Sequence, residues 1–161
     1  MNQTLSHVDA HGQANMVDMS NKSATTRIAT AEGYVTMQAE TLELILSNNS
    51  HKVDVFSVAR ITGIQAAKKY SNYNSLCPPQ TLNKVQVDFE PQVKHKRVRI
   101  VAKCKIIGST GVEMEALTAV AVAAISIRDR CKAVDPLMQT HDIKLLSKEG
   151  DKSGIWTRSI A

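Results

Sequence analysis

The chain has 161 residues, 43% of them apolar, which is enough for one domain with its own core. No apolar run reaches the roughly 18 residues of a membrane span, and Met1 to Gln13 is polar, so neither a transmembrane helix nor a secretory signal is expected and a cytoplasmic location follows. The net charge of +5 admits an anionic partner, but only Lys94 to Lys105 concentrates the cations, with few aromatics and no recognition motif, which argues against nucleic acid.

Residues 1–25 are rich in Asn, Ser, Thr and His and read as a flexible arm ahead of a single domain over 26–149. Arg27 to Gln38 predicts a strand, and Leu42, Ile45 and Leu46 then fall at helical spacing. Asp54 is placed to cap a second helix in which Val55, Val58, Ala59 and Thr62 repeat, with Lys68 and Lys69 at its end. Ser71 to Pro79 is a loop by composition. The period then changes to two: Val85, Val87 and Phe89, and after a turn containing Pro91, Val98, Ile100, Ala102, Cys104 and Ile106. This is a hairpin with a basic outer face, expected to be solvated in the plainer reading.

Val112 to Val134 holds no Gly or Pro, and Ala116 to Ile127 is apolar or small hydroxyl throughout, which predicts a long central helix buried all round. Asp129 stands against the dipole rule at its C-terminal end. Asp142 to Lys148 is expected as a last strand, and residues 150–161 as a flexible tail. The order predicts an α+β fold, a ferredoxin-like split-βαβ sandwich with one extra helix. Cys77, Cys104 and Cys131 are odd in number and lack C-x-x-C spacing, so neither disulfides nor a metal centre is expected, and GDKSG at 150–154 lacks P-loop spacing.

Several motifs carry a resemblance. VEMEALTA at the helix start, D-x-C-K-A-V from Asp129, MVDMSNK from Met16, HKVDVFSVARITGIQAAKK from His51 and KLLSKEGDKSG near the end are similar to the cyclic pyranopterin monophosphate synthases of molybdenum cofactor biosynthesis. The resemblance implies the same fold class and a lyase that converts cyclic dihydro-GTP to cyclic pyranopterin monophosphate with release of pyrophosphate, without a cofactor. It assigns catalytic roles to Asp129, Lys132 and Lys52, and substrate contacts to Leu76, Cys77, the position of Pro78, Glu113, Met114 and Glu115. It also implies a homo-oligomer, a trimer of dimers, with the site between subunits. Where the family has Leu-Cys-His-Pro-Leu this chain reads Leu76-Cys77-Pro78-Pro79-Gln80, so the histidine is absent and the alternative is a weak or inactive homologue that still binds a purine triphosphate or a pathway partner.

Each candidate also has a plainer reading from the residues alone. Asp129 and Lys132, three positions apart, form a surface ion pair as readily as a proton-transfer pair. Glu113 and Glu115 suit the positive end of a helix dipole, and Lys52 suits any loop. Lys22, Arg27 and Lys152 are cations that could meet a triphosphate. Glu115 and Asp129 are 14 positions apart, about 21 Å at 1.5 Å per residue, too far for one small ligand within a subunit. If both serve one pocket, two subunits must build it.

Overall fold

A computed structural model describes residues 4–47 and 54–159. Alternation organises the first strand, β1 (Thr25–Thr36), except at Glu32, which is buried on the outer face: Ala29, Ala31 and Val35 are buried on one face while Thr30, Tyr34 and Thr36 look the other way. A short helix α1 (Ala39–Ser47) follows, then α2 (Val55–Tyr73), whose first turn is capped by the Asp54 carboxylate accepting from the Phe56 amide at 3.0 Å. Strands β2 (Lys84–Gln92) and β3 (Arg97–Gly108) form the hairpin, α3 (Glu113–Cys131) crosses back, and β4 (Gln139–Asp151) and β5 (Gly154–Thr157) end the chain.

The sheet is antiparallel in the order β2-β3-β1-β4-β5. With β3 between β1 and β2, and β4 on the far side of β1, this is the split-βαβ arrangement of a ferredoxin-like fold, extended by one edge strand. Both long helices lie on one face, α3 against β1, β3 and β4, and α2 against α3 and β2. Small residues allow this close layering. At Gly63 a Cβ would stand 2.9 Å from the Ala119 carbonyl oxygen and 3.3 Å from the Ala123 Cβ, and at Gly33 it would lie 2.6 Å from Val120 Cγ1. On the opposite face the hairpin's basic side chains are partly engaged within the chain: Arg99 donates to Glu32 at 2.7 Å, and Arg97 lies 4.1 Å over the Tyr34 ring.

The structure corrects several expectations. Helix α2 runs past Lys68 and Lys69 to Tyr73, because nothing before Asn74 breaks it. Pro91 lies inside β2, opposite Val98, not in the turn. β2 is an edge strand, where a missing N–H costs no ladder bond, and the turn is made by Val93 to Lys96 with Lys96 left-handed at φ 52. β4 starts earlier and ends later than Asp142 to Lys148, and residues 154–157 pair with it as β5 in place of unstructured tail.

The largest correction concerns α3. It is not buried all round: Met114 is 48% and Ile125 61% exposed, and Leu117, Thr118, Ala121 and Val122 are only half-buried between them. At spacings of three and four these residues form one apolar stripe on the helix face turned away from the sheet.

Candidate active site

The turn Ser109 to Val112 delivers three site candidates at once. Glu113 reaches Lys148 on β4 at 3.3 Å, Met114 points outward, and Glu115 turns into the protein at 6% exposure. Glu115 Oε2 has no hydrogen-bond partner. Burial pushes its carboxyl up to about 7, and the neighbouring charge of Glu113 adds to the effect.

The loop that follows α2 closes over this carboxyl. Asn74 starts it, accepting the Cys77 amide on its carbonyl at 3.0 Å and the Leu76 amide on its side chain at 3.1 Å. Cys77, Pro78 and Gln80 then line a crevice of about 10 Å³ together with Ala67, Lys68 and Ser71 of α2 and Glu115 of α3. Gln80 fastens the loop to the helix start by donating to the Gly111 carbonyl at 3.3 Å. The substrate-contact segments named from the sequence, the Leu76–Pro78 loop and the Met114–Glu115 turn, therefore lie together in one subunit. Cys77 is free, and burial followed by the nearby Glu115 charge raises its thiol above the usual value.

A second cavity, of about 430 Å³, is walled by Lys22, Ser23, Thr25, Arg27, Gly150, Asp151, Lys152 and Ser153. Lys22, Arg27 and Lys152 thus converge. Gly150 permits the approach of the β4 end to β1: its φ is 102, and a Cβ there would strike the Thr26 carbonyl oxygen. Arg27 is held by an ion pair to Asp151 and donates to the Gly108 carbonyl at 3.2 Å. Asp151 also accepts Lys148 at 3.3 Å, and Lys148 bonds Glu113, so one charged chain links the cationic cavity to the start of α3.

Asp129 and Lys132 lie at the other end of α3. They are paired at 2.7 Å with both side chains well exposed, and the Lys132 ammonium holds the Asp129 carboxyl below its ordinary value. That bond explains a carboxylate near a helix C-terminus, where the dipole disfavours it. The structure does not bring this pair to the Glu115 crevice within one subunit, since the length of α3 separates them. Lys52, with His51 beside it, lies outside the described residues. Among the described residues no group of three or more His, Cys, Asp or Glu is placed to hold a metal ion, and no helix is long and apolar enough to cross a membrane.

Sequence reasoning did not single out Lys148, Asp151 and Gln80, which the structure joins to these candidate clusters. Lys148 sits in the KLLSKEGDKSG motif and Gln80 occupies a position where this chain departs from its resemblance, so signals existed for both. Compared with known protein families, residues 16–151 match the MoaC family.

Proposed function

The chain belongs to the MoaC family, and we propose that it catalyses the lyase step that converts cyclic dihydro-GTP to cyclic pyranopterin monophosphate and pyrophosphate. Family membership supports a role in molybdenum cofactor biosynthesis, and the match over residues 16–151 is the observation that carries the reading. The cationic cavity of Lys22, Arg27 and Lys152 is suited to a triphosphate, because ammonium and guanidinium groups make charge-assisted bonds to phosphate oxygens. The Leu76–Pro78 loop with Met114 and Glu115 holds the purine-derived ring beside it, and Glu113 keeps Lys148 in place between the two regions.

In this reading Asp129 and Lys132 move protons, with Lys52 as a third catalytic group. A lysine next to a carboxylate can give and take protons on ring nitrogens as one ring opens and the next closes. The MoaC family is oligomeric, and the open stripe of α3 supports a site shared between copies. It runs from Met114 to Ile125, between the helix end that carries Glu115 and the end that carries Asp129. Packing α3 against α3 of a second copy about a twofold axis covers this apolar surface and sets the start of one helix beside the end of the other. The 21 Å that separates the two clusters in one subunit is then removed; the full assembly in this reading is a trimer of dimers.

Pro78 favours a second reading, a homologue that keeps the assembly and binds a purine triphosphate or pathway partner with little turnover. Turnover separates the two. The purified chain is expected to release pyrophosphate from cyclic dihydro-GTP, and Asp129→Asn is expected to slow release by about 10²- to 10⁴-fold with the fold intact. Equal rates in the variant would return Asp129 to a surface ion pair.

A further inference from the structure

Proline at position 78 supplies no side-chain donor or acceptor, yet the loop carrying it closes over a carboxyl with an unused oxygen. Glu115 is more than nine-tenths buried, its Oε2 is unpaired, and the residue lines the same crevice as Cys77, Pro78 and Gln80. Leaving a buried polar atom unpaired is costly, and such an atom calls for an explanation in function or in an unseen partner. The crevice, at about 10 Å³, has room for about one water molecule.

The groups that face Glu115 come from four elements: Cys77 from the loop, Cys104 from β3, Lys68 from the solvent side of α2 and Glu113 from its own helix. Neither thiol is suited to exchange a proton near neutrality. Burial, and then the Glu115 charge, pushes Cys104 up to about 12 and raises Cys77 above its usual value. The carboxyl itself, at about 7, is half protonated there.

We infer that Glu115 is a further proton-transfer residue, beside Asp129 and Lys132, that serves this chain where the resemblance implies a histidine at position 78, acting through a water in the crevice beneath Pro78. The inference rests on the reaction assigned above. The neutral carboxyl gives its proton, through the one water the crevice can hold, to a ring nitrogen as that nitrogen's bond to carbon breaks; the nitrogen keeps the bonding pair, the second nitrogen on that carbon shares its lone pair to form a C=N bond, and a carboxylate is left. The carboxylate recovers a proton from the nitrogen that attacks when the new ring closes. The transfer is balanced in protons and needs no oxidant or reductant.

Two measurements on the full chain test this. Carboxyl carbon resonances of protein labelled with ¹³C-glutamate are followed by NMR between about pH 4 and 9. One resonance with a midpoint near neutrality, absent from Glu115→Gln, is expected; titration of every carboxyl in the ordinary range overturns the inference without any appeal to turnover. Rates on cyclic dihydro-GTP are then compared for Glu115→Gln in the natural chain and in Pro78→His. The loss is expected to be about 10²- to 10⁴-fold in the natural chain and at least tenfold smaller once the imidazole is restored. Equal losses in the two backgrounds overturn the substitution of one group for the other. No turnover in any background, with the neutral-range resonance present, overturns the proton-transfer role together with the assigned reaction, whereas a missing resonance with turnover intact overturns the inference alone.

Discussion

Glu115 holds a proton more tightly in the folded chain than in the unfolded one, and this fixes the sign of its effect on stability. Its ordinary value is 4.5 and its folded value about 7, so the stabilisation is complete below about pH 4.5 and is lost as pH rises through 7. The swing is on the order of 3 kcal/mol. Glu32 acts in the opposite sense at lower pH: burial disfavours its charge, but hydrogen bonds from Arg99 and Lys144 hold it below its ordinary value. Urea unfolding at about pH 5 and pH 8 is therefore expected to show the natural chain losing on the order of 3 kcal/mol more than Glu115→Gln. Parallel losses would mean that Glu115 ionises freely. From sequence, Glu113 and Glu115 looked alike as dipole-facing carboxylates, and only packing separates them. One reaches Lys148 on β4, 35 positions away, while the other turns under a loop. The Asp129–Lys132 pair was legible because both partners lie on one helical turn.

Elements were legible where one periodicity ran uninterrupted. β1, β2 and β3 alternate, Glu32 apart, and the Asp54 cap and both long helices follow from local signals. β4 was harder to read because its pairing with β1 shifts register after Thr30 and again after Glu32, which moves side chains between faces, and Asp142 adopts φ 54. β5 is four exposed residues and carries no pattern. The α2–α3 contact depends on small side chains in both helices: Ala123 faces Gly63 and is fully buried. Ala123→Leu is expected to overpack this seam by roughly 1–3 kcal/mol, read as a lower urea midpoint with unchanged slope. An unchanged midpoint would show that the helices can part without cost.

At the scale of the whole molecule, the α3 stripe is the feature that sequence reading mistook. Apolar residues bound for a core and those bound for an interface look the same in a linear pattern, and the fold shows that the stripe from Met114 to Ile125 is only partly covered by the described residues of its own chain. If a second copy covers it, Ile125→Glu places a charge in that contact and is expected to shift sedimentation to smaller species while the monomer stays folded. Activity should fall with it, because the site would be split. An unchanged sedimentation profile would locate the subunit contact elsewhere.

The central claim is that this chain performs the MoaC-family reaction with a proline at position 78, where its resemblance to the family implies a histidine. It is tested most directly by measuring pyrophosphate release from cyclic dihydro-GTP by the natural chain and by Pro78→His, with rate and substrate affinity followed separately. The natural chain is expected to turn over, and Pro78→His to raise the rate by less than the full 10²- to 10⁴-fold worth of a general acid or base, because Glu115 already supplies part of that role. Absence of pyrophosphate release from both proteins, folded and assembled, would contradict the account.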